Sequence, residues 1–419
     1  MKIGKRTGRL LMNGATFAER ASGRAAGAGR VRVLSLIEAL TVTGPARALI
    51  DFRRTARSDE LAAEGLPRVE GSFATFRRGG TSVDEQSQDQ FISASRAAGV
   101  EVDVIEERFR FDTRVVGELR RVVARRAPDI IETHGTKSHF IVKLSGLGQK
   151  LPWVAFHHGY TTTDAKMRVY NQLDRWSLPS AARVVTVCGP FAEQLARVGV
   201  EREKILVRHN SIGTFERAGG EEVAALKERL GVQAGERVIL AVGRLSREKG
   251  HADLLGALGV LRELNPDLNF KLVVAGDGPE RGRLEEAARG LGLAERVVFA
   301  GHAGDVRPFY ALADALALPS HSEGSPLVLL EAMAEGLPVA ATAVGGVPEI
   351  VSDGESALLA PPRDAAALAE ALRRLLSDAA LASRIADEAR RRVRSHFTPE
   401  DYARALVETY RGLLRRAGI

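Results

Sequence analysis

Glu323 and Glu331 stand eight positions apart in the segment Ser322 to Val351, and Gly345, Gly346 and a third acid, Glu349, follow them. The run Pro326-Leu327-Val328-Leu329-Leu330 between the two acids is apolar and fits the start of a helix packed under a sheet. On that reading Glu323 sits before the helix, at its mouth, and Glu331 lies about two turns into it. A helix mouth offers free backbone N–H groups and a positive dipole end. Carboxylates beside such a mouth suit a sugar, whose hydroxyls donate to carboxylates and accept from N–H groups. Glu323, with Gly324, Ser325 and Pro326, is therefore expected at a sugar. Glu331, beyond the mouth, is expected at the hydroxyls of a ribose.

A second cluster offers the complementary charge. Arg244 and Lys249 lie between Gly243 and Gly250, after the apolar strand Val238-Ile239-Leu240-Ala241-Val242 and before a helix. Cations combined with N–H groups are what a diphosphate requires. In the first half of the chain His134-Gly135-Thr136-Lys137 follows one strand and His157-His158-Gly159 follows another. His134 and Lys137 are candidates for holding an acceptor. No Cys/His cluster suggests a transition metal, and no paired-aspartate motif falls at a strand end.

The elements that must carry these residues alternate between strand and helix. Arg30 to Leu40, Pro128 to Gly135, Leu151 to Gly159, Ala182 to Gly189 and Lys204 to Ile212 read as strands of a first half. A helix-forming segment then leads into Glu236 to Leu245, the first strand of a second half. This βαβ alternation predicts parallel sheets wrapped by helices, with polar clusters at the carboxyl ends of strands. A chain of 419 residues is long for one core and suggests two. The expected division is a basic leader over 1–29, a Rossmann-like domain over 30–212, a second over 213–395, and a final helical segment over 396–419. The linker is placed near Asn210 to Gly220.

Composition limits the setting. The single cysteine, Cys188, excludes an internal disulfide and suits a reducing compartment. No stretch approaches the roughly 20 apolar residues of a membrane span, and residues 1–30 lack the apolar core of a secretory signal. A cytoplasmic location follows, at or near the inner face of the cell membrane. Residues 1–215 hold 34 Lys and Arg against 23 Asp and Glu, a net of +11, whereas the remainder nets −4. A basic first half suits an anionic acceptor or an anionic lipid surface. Nucleic acid is disfavoured, because aromatics are only 5% and none interleave with a basic cluster.

The acid pair followed by Gly-Gly-Val-Pro-Glu resembles the retaining nucleotide-sugar-dependent glycosyltransferases of family 4 (glycosyl transferases group 1). Gly243 to Gly250, Val273 to Arg281, Arg296 to Val306 and Ala313 to Gly324 are similar to the corresponding strands and loops of that family. The resemblance covers the second half nearly end to end and the first half more loosely. It implies a GT-B fold, an α/β architecture of two Rossmann-like domains with parallel sheets facing across a cleft, and a last helical region that crosses back to the first domain. It implies that Arg244 and Lys249 bind the donor diphosphate and stabilise its departure, so that no metal or other cofactor is required. It places His158 against the donor sugar, with His157 leaving a one-residue ambiguity. Gly44, in Thr41 to Arg47, corresponds to the family's first glycine-rich loop at the diphosphate, although Pro45 replaces its second glycine. Ser211 stands where the family commonly has glycine.

The activity implied is transfer of a sugar from a nucleotide diphosphate donor, UDP or GDP in form, with retention at the anomeric centre. The leaving phosphate would help to deprotonate the acceptor hydroxyl. The expected acceptor is a glycan or lipid-linked molecule in cell-envelope glycan, exopolysaccharide or glycolipid synthesis. The alternatives are a non-catalytic sugar-nucleotide-binding module and an enzyme acting on a small soluble acceptor. A phosphorylase and a nucleotide-sugar epimerase share the architecture but fit the motifs less well.

Overall fold

The structure is a computed structural model, and it describes residues 29–38, 44–78, 82–109, 112–159, 165–213 and 217–418. The leader over 1–28, Thr41 to Thr43 of the first loop, and 214–216 of the linker lie outside the described residues. Two parallel sheets organise what is described.

The first sheet has seven strands: β1 (Arg30–Ile37), β2 (Arg68–Arg78), β3 (Glu101–Glu107), β4 (Ile130–His134), β5 (Trp153–His157), β6 (Arg183–Thr186) and β7 (Ile205–Val207). Their order is β3-β2-β1-β4-β5-β6-β7. The second has six: β8 (Arg237–Val242), β9 (Phe270–Ala275), β10 (Val297–Gly301), β11 (Ala315–Leu318), β12 (Val339–Thr342) and β13 (Leu358–Ala360), in the order β10-β9-β8-β11-β12-β13. Both orders reverse direction beside the first strand, which is where doubly wound sheets bind ligands.

The central strands are mostly apolar, because helices cover both faces of each sheet, and the polar exceptions such as Glu132 of β4 are buried with partners. In β8, Ile239 and Ala241 pack with Leu254 and Leu258 of the helix His251–Leu264. Val238 and Leu240 pack on the other face with Leu329 and Met333 of the helix Leu327–Glu335. Strands β2 and β3 carry charge and were not evident from apolar runs. Their charges pair across the strands, Arg77 with Glu106 and Arg78 with Glu107, each at 2.7 Å.

The helix Pro399–Arg416 lies on the first domain, where Leu406, Val407 and Tyr410 join the core beside Leu49 and Phe52 of the helix Gly44–Thr55. Among the described residues no helix is long and apolar enough to cross a membrane.

Candidate active site

The loop after β11 and the turn after β8 meet at the carboxyl edge of the second sheet. Lys249 Nζ donates to Glu323 Oε1 at 2.7 Å, and Ser320 Oγ donates to the same oxygen at 2.6 Å. Glu323 is buried, while Lys249 retains partial exposure. Arg244 is exposed at the end of β8 and makes no ion pair among the described residues. Lys249 and Glu323 thus meet on one rim although 74 residues of sequence separate them, and Arg244 stands on the same turn as Lys249.

The helix beside this rim begins at Leu327, because Pro326 is still extended (φ −68°, ψ 119°). Glu331 is therefore just beyond the first turn, and not two turns in, since one turn takes 3.6 residues. Its Oε2 accepts from the Tyr310 hydroxyl at 2.7 Å. Burial raises the Glu331 pKa above the usual range, with the Tyr310 hydrogen bond and the charge of Arg47 opposing. Arg47 belongs to the helix Gly44–Thr55, so the first domain reaches the Glu331 neighbourhood electrostatically. Gly44, expected at the diphosphate, opens that same helix.

Gly345 and Gly346 seal the loop from below. Gly345 has φ +54°, and a Cβ there would meet Glu323 O at 1.7 Å; a Cβ on Gly346 would meet Gly324 O at 2.0 Å. Only glycine permits this backbone-on-backbone contact. Ser325, expected at the sugar, is tied to the linker: Asn210 N donates to Ser325 Oγ at 2.8 Å, and Asn210 Nδ2 donates to Ser325 O at 2.6 Å.

Glu349 was noticed in the sequence without a role. Its carboxylate accepts from the amide of Gly189 at 3.0 and 3.1 Å and lies 3.3 Å from His209 Nε2. It caps the helix Gly189–Arg197 of the opposite domain, 160 residues away. A carboxylate at a helix N-terminus is favourable through both hydrogen bonding and the dipole.

Across the cleft, His158 follows β5. It keeps solvent exposure and lines a crevice with His134, Phe156, Asn210 and Tyr402. Crowding by the surrounding protein, with the neighbouring His134, His157 and His139, lowers its pKa below the usual imidazole value, which favours the neutral ring. Phe191 connects the two walls: its ring lies within 2.4 Å of a Cβ built on Gly159 and 2.9 Å of one built on Gly324. His157 is buried instead, with Nδ1 3.2 Å from Asp174 Oδ2. His134 is buried and stacked on Phe156 at 4.4 Å. Lys137 is also buried, 2.6 Å from Glu107 and 3.7 Å from Glu38. Holding an acceptor would require it to exchange that pairing. Tyr310 and Asp174 escaped the sequence reading, and Glu349 had no role there, because each acts through a partner outside its own element.

Comparison with known proteins agrees with this architecture. The family Glyco_trans_4_4, Glycosyl transferase 4-like domain, matches residues 27–211, and Glycosyl transferases group 1 matches residues 223–392. An uncharacterized glycosyltransferase of Methanocaldococcus jannaschii is 29% identical over 304 residues, covering 69% of this chain and 77% of its own. The N-acetyl-alpha-D-glucosaminyl L-malate synthase of Bacillus anthracis is 26% identical, covering 73% and 80%. The Anabaena protein HepE, solved with UDP and glucose, superposes with a TM-score of 0.75 at 22% identity, covering 91% of this chain and all of that one (100%). With both halves matched in order and both sheets folded as the family requires, the chain belongs to the GT-B glycosyltransferases of the family 4 type.

Proposed function

We propose that this glycosyltransferase moves a sugar from a nucleotide diphosphate donor, UDP or GDP in form, to an acceptor hydroxyl with retention of the anomeric configuration. The observation that carries this reading is the Lys249–Glu323 contact beside exposed Arg244 at the helix mouth. A bound donor would place its diphosphate against Arg244 and Lys249, beside the Gly44 loop, and its sugar hydroxyls against Glu323 and the Gly324 to Pro326 segment. Glu331 would hold the ribose. As the bond to the sugar breaks, negative charge grows on the diphosphate, and fixed cations beside it lower the barrier without reorganising. The neutral ring of His158 would contact the sugar from the other wall. No metal is needed in this scheme, since the cations neutralise the leaving group.

HepE, a structural neighbour, was solved with UDP and with UDP-glucose, which favours a uridine donor as the first to try. The acceptor we infer is a glycan or lipid-linked molecule of the cell envelope, met by a cytoplasmic enzyme at the membrane face. The support is an exposed apolar group on the two helices flanking β4 and β5: Leu144, Val169 and Trp176, with Lys143 Nζ 3.8 Å from the Trp176 ring centroid. Such a mixture of aromatic, aliphatic and basic side chains suits a lipid interface.

A thermal-shift panel of UDP, GDP and ADP with their sugars identifies the donor, and NMR of the product reads its anomeric configuration. Stabilisation by one nucleotide sugar, slow donor hydrolysis and a retained anomer are expected. Binding without any turnover would favour the binding-module reading, and an inverted anomer would reject the mechanism.

A further inference from the structure

Asp174, on the helix Ala165–Ser177, is 2% exposed and has no part in the donor site described above. Its Oδ1 lies 2.6 Å from His139 Nδ1 and its Oδ2 lies 3.2 Å from His157 Nδ1. Burial alone would raise the Asp174 pKa, but the hydrogen bonds from His139 and His157 hold it well below the usual carboxylate range. An ionised carboxylate only accepts, so each Nδ1 that faces it must carry a proton.

The two rings sit on elements that lead to the first domain's cleft wall. His139 lies in the helix Thr136–Ser145, five residues after His134, and its Nε2 is 3.2 Å from Thr133 O. His157 is the last residue of β5 and precedes His158. Side chains alternate across a strand. Trp153 and Ala155 belong to the core beneath the helix Thr136–Ser145, whereas Val154 and Phe156 belong to the core beneath the helices Gly44–Thr55 and Pro399–Arg416. His157 continues the first set toward Asp174, and His158 continues the second set into the crevice beside Phe156 and Tyr402. Holding the buried ring in place therefore constrains the backbone that carries the exposed one. The Thr186 hydroxyl fixes the His157 carbonyl at 3.1 Å, and Gly159 turns the chain away at φ +100°.

We propose that Asp174 is a positioning residue for His158: by accepting Nδ1–H from both His157 and His139 it ties the end of β5 to the helix that follows β4, so that His158 faces the donor sugar. The inference rests on the transfer reaction proposed above for its catalytic consequence, and on the geometry alone for its structural part. Displacing a reacting group by about 1 Å can cost on the order of 100-fold in rate.

The test uses the full chain labelled with 15N-histidine, comparing wild type with Asp174→Asn and Asp174→Glu. Asp174→Asn places an amide where the carboxylate stood. It is expected to move His157 from the Nδ1–H to the Nε2–H tautomer and to lower kcat by roughly 10- to 100-fold, while the Kd for UDP or GDP changes less than about twofold. Asp174→Glu is expected to keep the Nδ1–H tautomer and recover part of the rate. An unchanged tautomer in Asp174→Asn, an unchanged kcat once the tautomer has moved, or a parallel loss of nucleotide binding would each overturn the proposal. Should Asp174→Asn fail to fold, His157→Asn and His157→Ala serve instead. The Asn amide can still donate to Asp174, so its kcat should exceed that of His157→Ala, and equal rates would overturn the proposal. A wild-type chain without transfer or donor hydrolysis would remove the functional reading, whereas the tautomer spectrum would still decide whether Asp174 holds His157.

Discussion

At the residue scale, the two acids proposed for the donor site should have separable roles. Glu331 already spends Oε2 on Tyr310, which holds the carboxylate in one orientation. Glu331→Ala should weaken nucleoside diphosphate binding by about 1–3 kcal/mol, the size of a lost hydrogen bond to a charged group. Titration calorimetry with the bare nucleotide checks this, and an unchanged affinity would remove Glu331 from the ribose site. Glu323 is bound to Lys249 and Ser320. In Glu323→Gln the geometry survives while the charge is lost, so kcat should fall far more than nucleotide affinity. Equal losses would place Glu323 at the nucleotide instead of the sugar.

At the element scale, the return of the helix Pro399–Arg416 depends on a buried polar cluster under β4. Glu132 accepts from Ser35 Oγ at 2.6 Å and also receives Arg53 and the Tyr410 hydroxyl. Burial raises the Glu132 pKa, but the charge of Arg53, the nearby His134 ring and the hydrogen bond from Ser35 outweigh it, and the net value falls from 4.5 to about 2. A depressed carboxylate contributes stability that is fully present above its unfolded pKa and is lost as pH falls through the folded one. The docking of this helix should therefore weaken between about pH 4.5 and pH 2. Tyr410→Phe removes one donor to the charge and should cost about 1.5–3 kcal/mol. Hydrogen exchange resolved to the last helix reads both effects. Protection there that is indifferent to the substitution would show that apolar contacts alone dock the helix.

At the scale of the whole molecule, polar contacts among the described residues join the two domains. Glu349 caps Gly189 and Asn210 clasps Ser325. Catalysis requires groups from both walls within about 3 Å of the reacting atoms and water kept out. Glu349→Ala should release one clasp and enlarge the radius of gyration of the unliganded protein in small-angle scattering. Saturating nucleoside diphosphate should contract it again. No change in either state would mean that the remaining contacts hold the domains closed by themselves. The basic first domain should also bind vesicles of anionic lipid at low salt and release them as salt rises, because the screening length shrinks to about 3 Å at 1 M. Trp176→Ala should reduce that binding, and indifference to anionic vesicles at low salt would favour a soluble acceptor.

Much of this was legible in the sequence, for a physical reason. Apolar runs such as Val238 to Val242 encode buried parallel strands because helices must cover both faces. Glycine-bounded turns after such strands locate Arg244 and Lys249, and the spacing of Glu323 and Glu331 straddles a helix start whatever its exact first residue. Strands β2 and β3 were harder to see, since their charges pair across strands and break the apolar run. The sequence could not state which loops would face one another. Lys249 meets Glu323 across 74 residues, Glu349 meets Gly189 across 160, and Tyr410 meets Glu132 across 278. Propensity and periodicity act over a few residues and determine elements. Partners this distant are chosen by sheet order and by the burial that closes the two domains, and a buried charge such as Asp174 or Glu132 takes its role only from the groups that this closure brings to it.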